Sequence, residues 1–491
     1  MKRFIALFIS LLIISSNLVF AEEEQTAELL APTLPETYFS PSIRLFSTEP
    51  TLEDVLVEGW ETFATRINIS KFNIKVDDLK SIYFGILADH PLIYYAAGSM
   101  SYSYNTKGYV TSVSPKYTET DRTKVAETLN QINEATEEIL FLIDDDMTDF
   151  EKVMTVHNYM VSNYEYDYTY SISGIQIMLT KKGVCNAYAH AFKHLMNTLG
   201  INCCYVSSDE MNHAWNLVEI DGNWYHIDLT WDAPSQDDNY DDDIPPIAIP
   251  GQVSNTFALL SDAKIQSLSS PHYNYNTKGL TADSTTYDNA SWHETGGSVV
   301  TIGKTEYWSE NYQIVSSKGE IICSDLDGSN DKWNIGGGYY FTNRLNLTAL
   351  AEYNKILYYN TDSAIMSYNP KTKETKTVKL IEGVCGLYIN HNDLVYCMYD
   401  MDTGFYKESG TIHLGDIRIG GVVHKNGKTT TRVYKDASTP ITVYSYGDNH
   451  VQMQTVEKTG LSTITFDTES EQSIFFWNNK MQPLTDKKVF K

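Results

Sequence analysis

The sequence predicts an α+β core followed by an all-β region, and two observations carry that expectation. Between about residues 51 and 295, helical and strand periodicities alternate, whereas beyond about 298 the chain breaks into short strands separated by Gly, Asn and Asp turns, with no long helical pattern. The chain is 491 residues long, too long for one compact core, and implies roughly two to four domains. Its 42% hydrophobic and 20% charged residues exclude wholesale disorder and a multi-pass membrane protein.

The elements follow in order. Lys2 and Arg3 precede an apolar run over 4–20, then Ala21 and Glu22-Glu23-Glu24, which predicts a secretory signal peptide over 1–21, with an uncleaved anchor as the alternative. The expected location is secreted or extracytoplasmic, with no stable membrane span after cleavage, since no second long apolar stretch follows. Residues 22–50 have the composition of a flexible leader. Residues 51–120 read as an N-terminal α/β region: two amphipathic helices, then strands at 92–95 and 100–104.

Two more helices should follow within a unit spanning 121–295. The second opens with the capping box Thr148-Asp149-Phe150-Glu151 and buries Val153, Val156 and Met160; His157 on it reads as a packed or surface histidine. Next, Cys185, Ala189, Phe192, Met196 and Leu199 repeat with helical period until Gly200 stops the helix, so Cys185 opens it. A short strand around 204–206 precedes two β-rich runs, 213–220 and 224–231, joined by Asp221-Gly222-Asn223. With Asp221 and Gly222 as the turn, Ile220 pairs with Asn223, His213 faces Thr230, and Asp228 becomes a diagonal neighbour of His213, about 7–8 Å away at Cα. A turn one residue longer would reverse that parity.

Within 298–422, the runs 355–359 and 393–397 recur about forty residues apart, which fits propeller-type blades, either a partial propeller or an irregular sandwich. Residues 423–491 read as a small separate β module ending in alternating runs such as 473–477.

Nucleophilic acyl transfer needs a thiolate, a base that takes its proton and a group that orients the base. A cysteine at a helix N-terminus sits where unpaired amides and the dipole favour the thiolate, which makes Cys185 a candidate nucleophile. The segments Gly183-Val184-Cys185-Asn186-Ala187-Tyr188, then Asn212-His213-Ala214-Trp215, then His226-Ile227-Asp228-Leu229-Thr230-Trp231 resemble the transglutaminase-like superfamily of cysteine enzymes. The likeness covers roughly residues 120–290, including Phe257-Ala258-Leu259-Leu260-Ser261-Asp262 as a closing strand and helix.

The resemblance implies a papain-like core, in which the helix bearing Cys185 packs on an antiparallel sheet carrying His213 and Asp228. It also implies a thioester intermediate, with Cys185 as nucleophile, His213 as general base then acid, and Asp228 as orienter. Water as acceptor gives a protease or amidase acting on a protein or peptide, the favoured reading. An amine gives a cross-linking transglutaminase, and a third alternative is a surface-binding protein that uses the fold as scaffold. The Cys185 amide and a donor near Gln176 are the candidate oxyanion partners. Trp215 and Trp231 are candidates to line the cleft, Tyr188 reads as packing, and Asp232 as a turn or supporting carboxylate.

Other signals are weaker. The net charge of −26 disfavours nucleic acid as a partner. Six cysteines are too few and too scattered for a disulfide framework, although Cys385 and Cys397 could pair across neighbouring strands. No cofactor or metal is expected: His190 and His194 lack a third ligand, and the run 325–331 lacks the spacing and terminal Glu of a calcium loop. The acidic run 237–243 reads as a solvated loop.

Overall fold

A computed structural model describes residues 27–30, 49–144, 147–167, 174–233, 251, 253–294, 298–311, 313–324, 326, 349–361, 363–399, 406–425, 428–436, 440–447, 450–467, 472–478 and 488–490. The expected signal peptide, the acidic run 237–243 and nearly all of the run 325–331 lie outside the described residues.

The chain is α+β, with a mixed core and a long run of antiparallel sheets. It begins with β1 (Ala27–Leu30), α1 (Leu52–Glu61), β2 (Ile67–Asn68), α2 (Val76–Asp89), β3 (Ser99–Tyr104) and β4 (Val110–Lys116), the four strands forming one antiparallel sheet in the order β1-β3-β4-β2. β1 lies inside the stretch whose composition reads as a leader. Its ladder to β3, Ala27 opposite Tyr102 through Leu30 opposite Ser99, is a backbone pairing that a four-residue segment does not advertise by periodicity. Residues 92–95 do not form the expected strand: Tyr94–Ala96 close a 3-10 turn. The run is apolar throughout and buried, and a short apolar run carries no period that separates strand from turn.

α3 (Arg122–Leu140) and α4 (Asp149–Asn163) follow. α4 starts at the capping box, with the Thr148 hydroxyl accepting from the Glu151 amide and the Glu151 carboxylate accepting from the Thr148 amide. β5 (Glu165–Tyr166), α5 (Ile177–Thr180) and β6 (Lys182–Gly183) lead into α6 (Cys185–Thr198), β5 and β6 pairing in parallel. β7 (Cys203–Ser208), β8 (His213–Ile220) and β9 (Asn223–Ile227) make an antiparallel sheet against which α6 packs. α7 (Leu229–Asp232) and α8 (Asp262–Ser267) complete this part. One hydrophobic cluster runs through it from Leu56 to Val299 and includes Trp60, Tyr83, Val156, Met160, Phe192 and Met196. Among the described residues no helix is long and apolar enough to cross a membrane.

The β-rich half contains successive sheets. β10 (Val300–Thr301), β11 (Glu306–Glu310), β12 (Gln313–Ser316) and β13 (Ile321–Cys323) form a four-stranded meander, as do β14 (Leu350–Tyr353), β15 (Ile356–Asn360), β16 (Ala364–Asn369) and β17 (Glu374–Leu380). β18 (Val384–Asn390), β19 (Asp393–Tyr399) and β20 (Tyr406–His413) form a third sheet. Strands Ile417–Lys425, Lys428–Lys435 and Gly460–Asp467 form another, and Ile441–Gly447, His450–Val456, Gln472–Asn478 and Lys488–Phe490 the last. Cys385 and Cys397 sit on adjacent strands, yet no disulfide joins them: the Cys385 thiol donates to the Cys397 carbonyl at 3.4 Å. A bulge at Val384/Gly386 takes Cys385 out of the paired register.

The two halves touch closely. A Cβ on Gly420 would stand 2.0 Å from the Phe141 carbonyl oxygen, so only glycine allows that approach. Arg432 pairs with Glu137 and Lys355 with Asp144 across the same boundary.

Candidate active site

α6 holds Cys185 at its first position. Gly200, at φ +77°, closes the other end: its amide donates to the Asn197 carbonyl at 3.1 Å and the Ile201 amide to that of Met196 at 2.9 Å. The Asn216 side chain on β8 donates to the Ala189 carbonyl at 3.0 Å and ties helix to sheet. Val184, the residue before Cys185, offers no side-chain cap; its carbonyl accepts from the Ala187 and Tyr188 amides, and the Cys185 and Asn186 amides keep their donors for another acceptor. Cys185 itself is partly exposed.

The hairpin register is the expected one. Ile220 pairs with Asn223 and Asn216 with Ile227, through a turn in which Asp221 (φ 51°) and Gly222 (φ 79°) both adopt positive φ. His213 opens β8, opposite Ser208 of β7. It does not face Thr230 as expected, because β9 ends at Ile227. Asp228 then acts as the cap of α7, its Oδ1 accepting from the Thr230 amide at 3.0 Å and the Trp231 amide at 3.3 Å. An aspartate that satisfies two helix-start amides outcompetes further ladder pairing. The cap also aims Oδ2 at His213, whose Nε2 donates to it at 2.6 Å. The contact inferred from strand parity is therefore made by a helix cap.

The electrostatics follow from burial and these bonds. His213 and Asp228 are 8% and 0% exposed. Burial pushes the His213 imidazole down, but the Asp228 charge and hydrogen bond, together with a hydrogen bond to Cys185, outweigh it and raise His213 to about 10. Burial raises Asp228, and the charge of His213 with bonds from His213 and His272 reverses this and leaves the carboxyl well below the usual range. Cys185, His213 and Asp228 are thus brought together, with an imidazolium between thiol and carboxylate at neutral pH.

Two indoles hold the imidazole flat. His213 stacks on Trp215 (centroids 5.6 Å, 22°) and on Trp231 (5.1 Å, 25°), an arrangement that favours a cationic ring. Trp215 is fixed in turn: its Nε1 donates to His226 Nδ1 at 2.9 Å, and His226 Nε2 donates to Asp262 at 2.8 Å. Burial pushes His226 down, so it remains a neutral acceptor for the indole. The 257–262 segment supplies this support. Leu260 bridges to His226 by 2.8 and 2.9 Å backbone bonds, and Ser261 caps α8.

Sequence reasoning missed His272. It is 0% exposed, and its Nε2 donates to Asp228 Oδ2 at 2.9 Å, the same oxygen that His213 uses. It sits in an irregular segment, 268–276, outside every quoted motif, so only its residue type could have drawn attention. Asp232 and His157, read as supporting or packed, form a buried pair at 3.1 Å, and Asp232 also accepts from Ser254 and the Phe257 amide. Gln176 caps α5, its carbonyl accepting from the Thr180 amide at 3.0 Å. Tyr188 packs on Tyr164 at 6.2 Å.

His190 stacks on Tyr205 at 4.5 Å while His194 meets Thr136 at 3.0 Å, so the two point to different partners. Among the described residues the one cluster with the donors for a cation is His213, Asp228 and His272, with their ligand atoms within 4.8 Å of one another. Ligands at zinc distances and tetrahedral angles would stand about 3.3 Å apart. The 2.6 and 2.9 Å separations are instead those of proton-bridged pairs, so the residues do not fit a resident metal.

A thiol at a helix start, near an imidazole that a buried carboxylate orients, lies within a stretch that a family comparison also singles out. Residues 140–229 match the transglutaminase-like superfamily. That transglutaminase-like stretch contains Cys185, His213 and Asp228 and stops short of His272. The chain is 27% identical to the human kyphoscoliosis peptidase over 18% of this chain and 17% of that protein, and 26% identical to the mouse protein over the same shares. The match thus spans less than a fifth of these relatives' length. Among solved structures, a candidate cysteine protease from Cytophaga hutchinsonii aligns at 20% identity over 28% of this chain and 54% of its own, with a TM-score of 0.18. A TGase aligns at 12% identity over 43% and 59%, with a TM-score of 0.21.

Proposed function

We propose that the protein is a secreted or extracytoplasmic cysteine enzyme that cleaves peptide or amide bonds of proteins through a Cys185–His213–Asp228 triad. The observation that carries this reading is His213, raised to about 10 between Cys185 and an Asp228 carboxylate 2.6 Å away. A cationic imidazole beside the thiol is the counter-ion a thiolate needs. The curated relatives' designation as peptidases favours hydrolysis over transfer.

The Cys185 thiolate attacks the carbonyl carbon, and the C–O π pair moves to oxygen. The oxyanion faces the unpaired amides at the start of α6, with the Cys185 amide as first donor and a group near Gln176 as second. As the tetrahedral species collapses, the C–N bond breaks and the His213 proton passes to the leaving amine, which leaves a thioester and a neutral imidazole. That imidazole then takes a proton from water as the water attacks the thioester, the C–S bond breaks, and the acid product is released with the thiolate–imidazolium pair restored. Asp228 keeps the ring in place throughout. The division of labour we propose assigns 121–295 to chemistry, 298–422 to propeller-type blades and 423–491 to a terminal β module, the latter two binding or spacing the substrate.

The experiment is alkylation of Cys185 as a function of pH, read by mass spectrometry, beside release of new amino groups from denatured protein substrates. The reading expects alkylation to persist well below the ordinary thiol value of about 8.5 and to retreat toward it in His213→Ala. Alkylation that titrates like a free thiol in both proteins would sink it and leave the non-catalytic binding reading.

A second reading is amine transfer. The two indoles stacked near His213 reduce its access to water, which favours an amine acceptor. Incorporation of a fluorescent primary amine faster than hydrolysis would establish it.

A further inference from the structure

A cavity of about 510 Å³ lies between the two halves of the molecule, away from the Cys185 cluster. That volume falls within the range of about 300–1,000 Å³ common to small-molecule sites. Its wall mixes polar groups with apolar and aromatic side chains, Phe141, Val299, Leu387, Ile389, Tyr159 and Tyr434 among them.

The polar groups in this wall are unequally satisfied. Three carboxylates line it, and each has a basic partner: Glu138 meets His391 at 3.9 Å, Glu165 meets Lys182 at 2.8 Å and Glu352 meets Arg418 at 3.3 Å. Lys181 is the exception. It caps α5 in the left-handed region (φ 57°), and its Nζ lies over the rings of Tyr164 (4.8 Å) and Tyr159 (5.5 Å). Among the described residues this buried ammonium has neither an ion pair nor a hydrogen bond. Burial pushes it down and Glu138, the acid whose charge reaches it, offsets this only in part. The Tyr164 hydroxyl in the same wall is also without a partner, on a side chain 2% exposed. Two donors left open on one cavity wall are costly unless an acceptor arrives.

We propose that this cavity binds a small aromatic monocarboxylate, with the carboxylate seated on Lys181 Nζ and the Tyr164 hydroxyl and the ring packed among Phe141, Tyr159 and Tyr434. The two carboxylate oxygens supply the acceptors that the two donors lack. The aromatic side chains in the wall suit an aromatic body. The inference is independent of the chemistry at Cys185.

The test is calorimetric titration of the full chain with benzoate, naphthoate and indoleacetate, with naphthylmethanol as the uncharged control. Saturable one-to-one binding is expected for at least one carboxylate, weakened about tenfold or more in Lys181→Met, whereas naphthylmethanol binds weakly and alike to both proteins. Should Lys181→Met fail to fold, Tyr164→Phe, which removes a single hydroxyl, is expected to weaken the carboxylate alone. Reductive methylation of Lys181, followed by peptide mass spectrometry, should slow in the presence of the bound carboxylate. No saturable binding of any of the three acids, binding no tighter than that of the alcohol, or unchanged Lys181 labelling would each overturn the proposal.

Discussion

Asp228 and His272 share a bond that alters what Asp228 offers His213. One oxygen, Oδ2, accepts from His213 at 2.6 Å and from His272 at 2.9 Å, while Oδ1 is occupied by two amides of α7. Every approach to the carboxylate is therefore taken by a donor, and it stays ionised although fully buried. His272 is a positioning residue. His272→Ala should lower peptide cleavage by about tenfold, the worth of one charge-assisted hydrogen bond, and shift the alkaline limb of Cys185 alkylation. His272→Gln, whose amide can still donate, should restore much of both. Equal loss in the two variants, with an unmoved pH profile, would assign His272 to packing alone.

Asp228→Asn keeps the shape and removes the charge. It should cut cleavage by about a thousandfold or more, because the imidazolium that balances the thiolate loses its counter-ion. The same change should destabilise the fold by about 3–5 kcal/mol in urea titrations at neutral pH, the cost of breaking one side of a buried pair. Unchanged stability would mean that His213 is neutral in the resting protein.

The raised His213 value makes a pH prediction with a definite sign. A folded value of about 10 exceeds the ordinary histidine value, so the stabilisation is complete below about pH 6.5 and is lost as pH rises through about 10. Asp228 runs the other way: its lowered carboxyl stabilises above the ordinary carboxylate value and loses that contribution as pH falls through the folded value. Thermal unfolding of wild type compared with His213→Gln should therefore converge between neutral and strongly alkaline pH. Parallel curves over that range would contradict the buried ion pair.

Asp232 supports the site from below. It joins His157 on α4 to Ser254 and the Phe257 amide, and so ties the end of α7 to the segment that carries Leu260 against His226. Burial raises its carboxyl, and the bonds from His157 and the Phe257 amide oppose that. Asp232→Ala leaves these donors buried and unpaired and should cost about 2–4 kcal/mol in denaturant titration. A change below about 0.5 kcal/mol would show that the segment holds its place without the carboxylate.

Much of the core was legible because its signals are local. The Thr148 capping box, the helix from Cys185 to its glycine stop and the Asp221-Gly222 turn each depend on a few adjacent residues, and all three are present. Where neighbours in space decide, the reading went astray: 94–96 coil into a 3-10 turn, and the strand after Asn223 yields at Asp228 to a helix cap. Cys385 and Cys397 lie on neighbouring strands as expected, but a bulge takes Cys385 out of register and its thiol donates to the Cys397 carbonyl.

From its own order of residues the chain determines the helix that presents Cys185 and the register of the hairpin that carries His213. These follow from periods of 3.6 and 2 and from turn chemistry, which act over a few residues. Tertiary structure alone decides that His272 shares the Asp228 oxygen, that Trp215 and Trp231 stack near His213, and that Lys181 is buried without an ion pair among the described residues. Those contacts join residues distant along the chain, and their partners are selected by packing and by the need to satisfy buried polar groups, neither of which leaves a periodic trace in sequence.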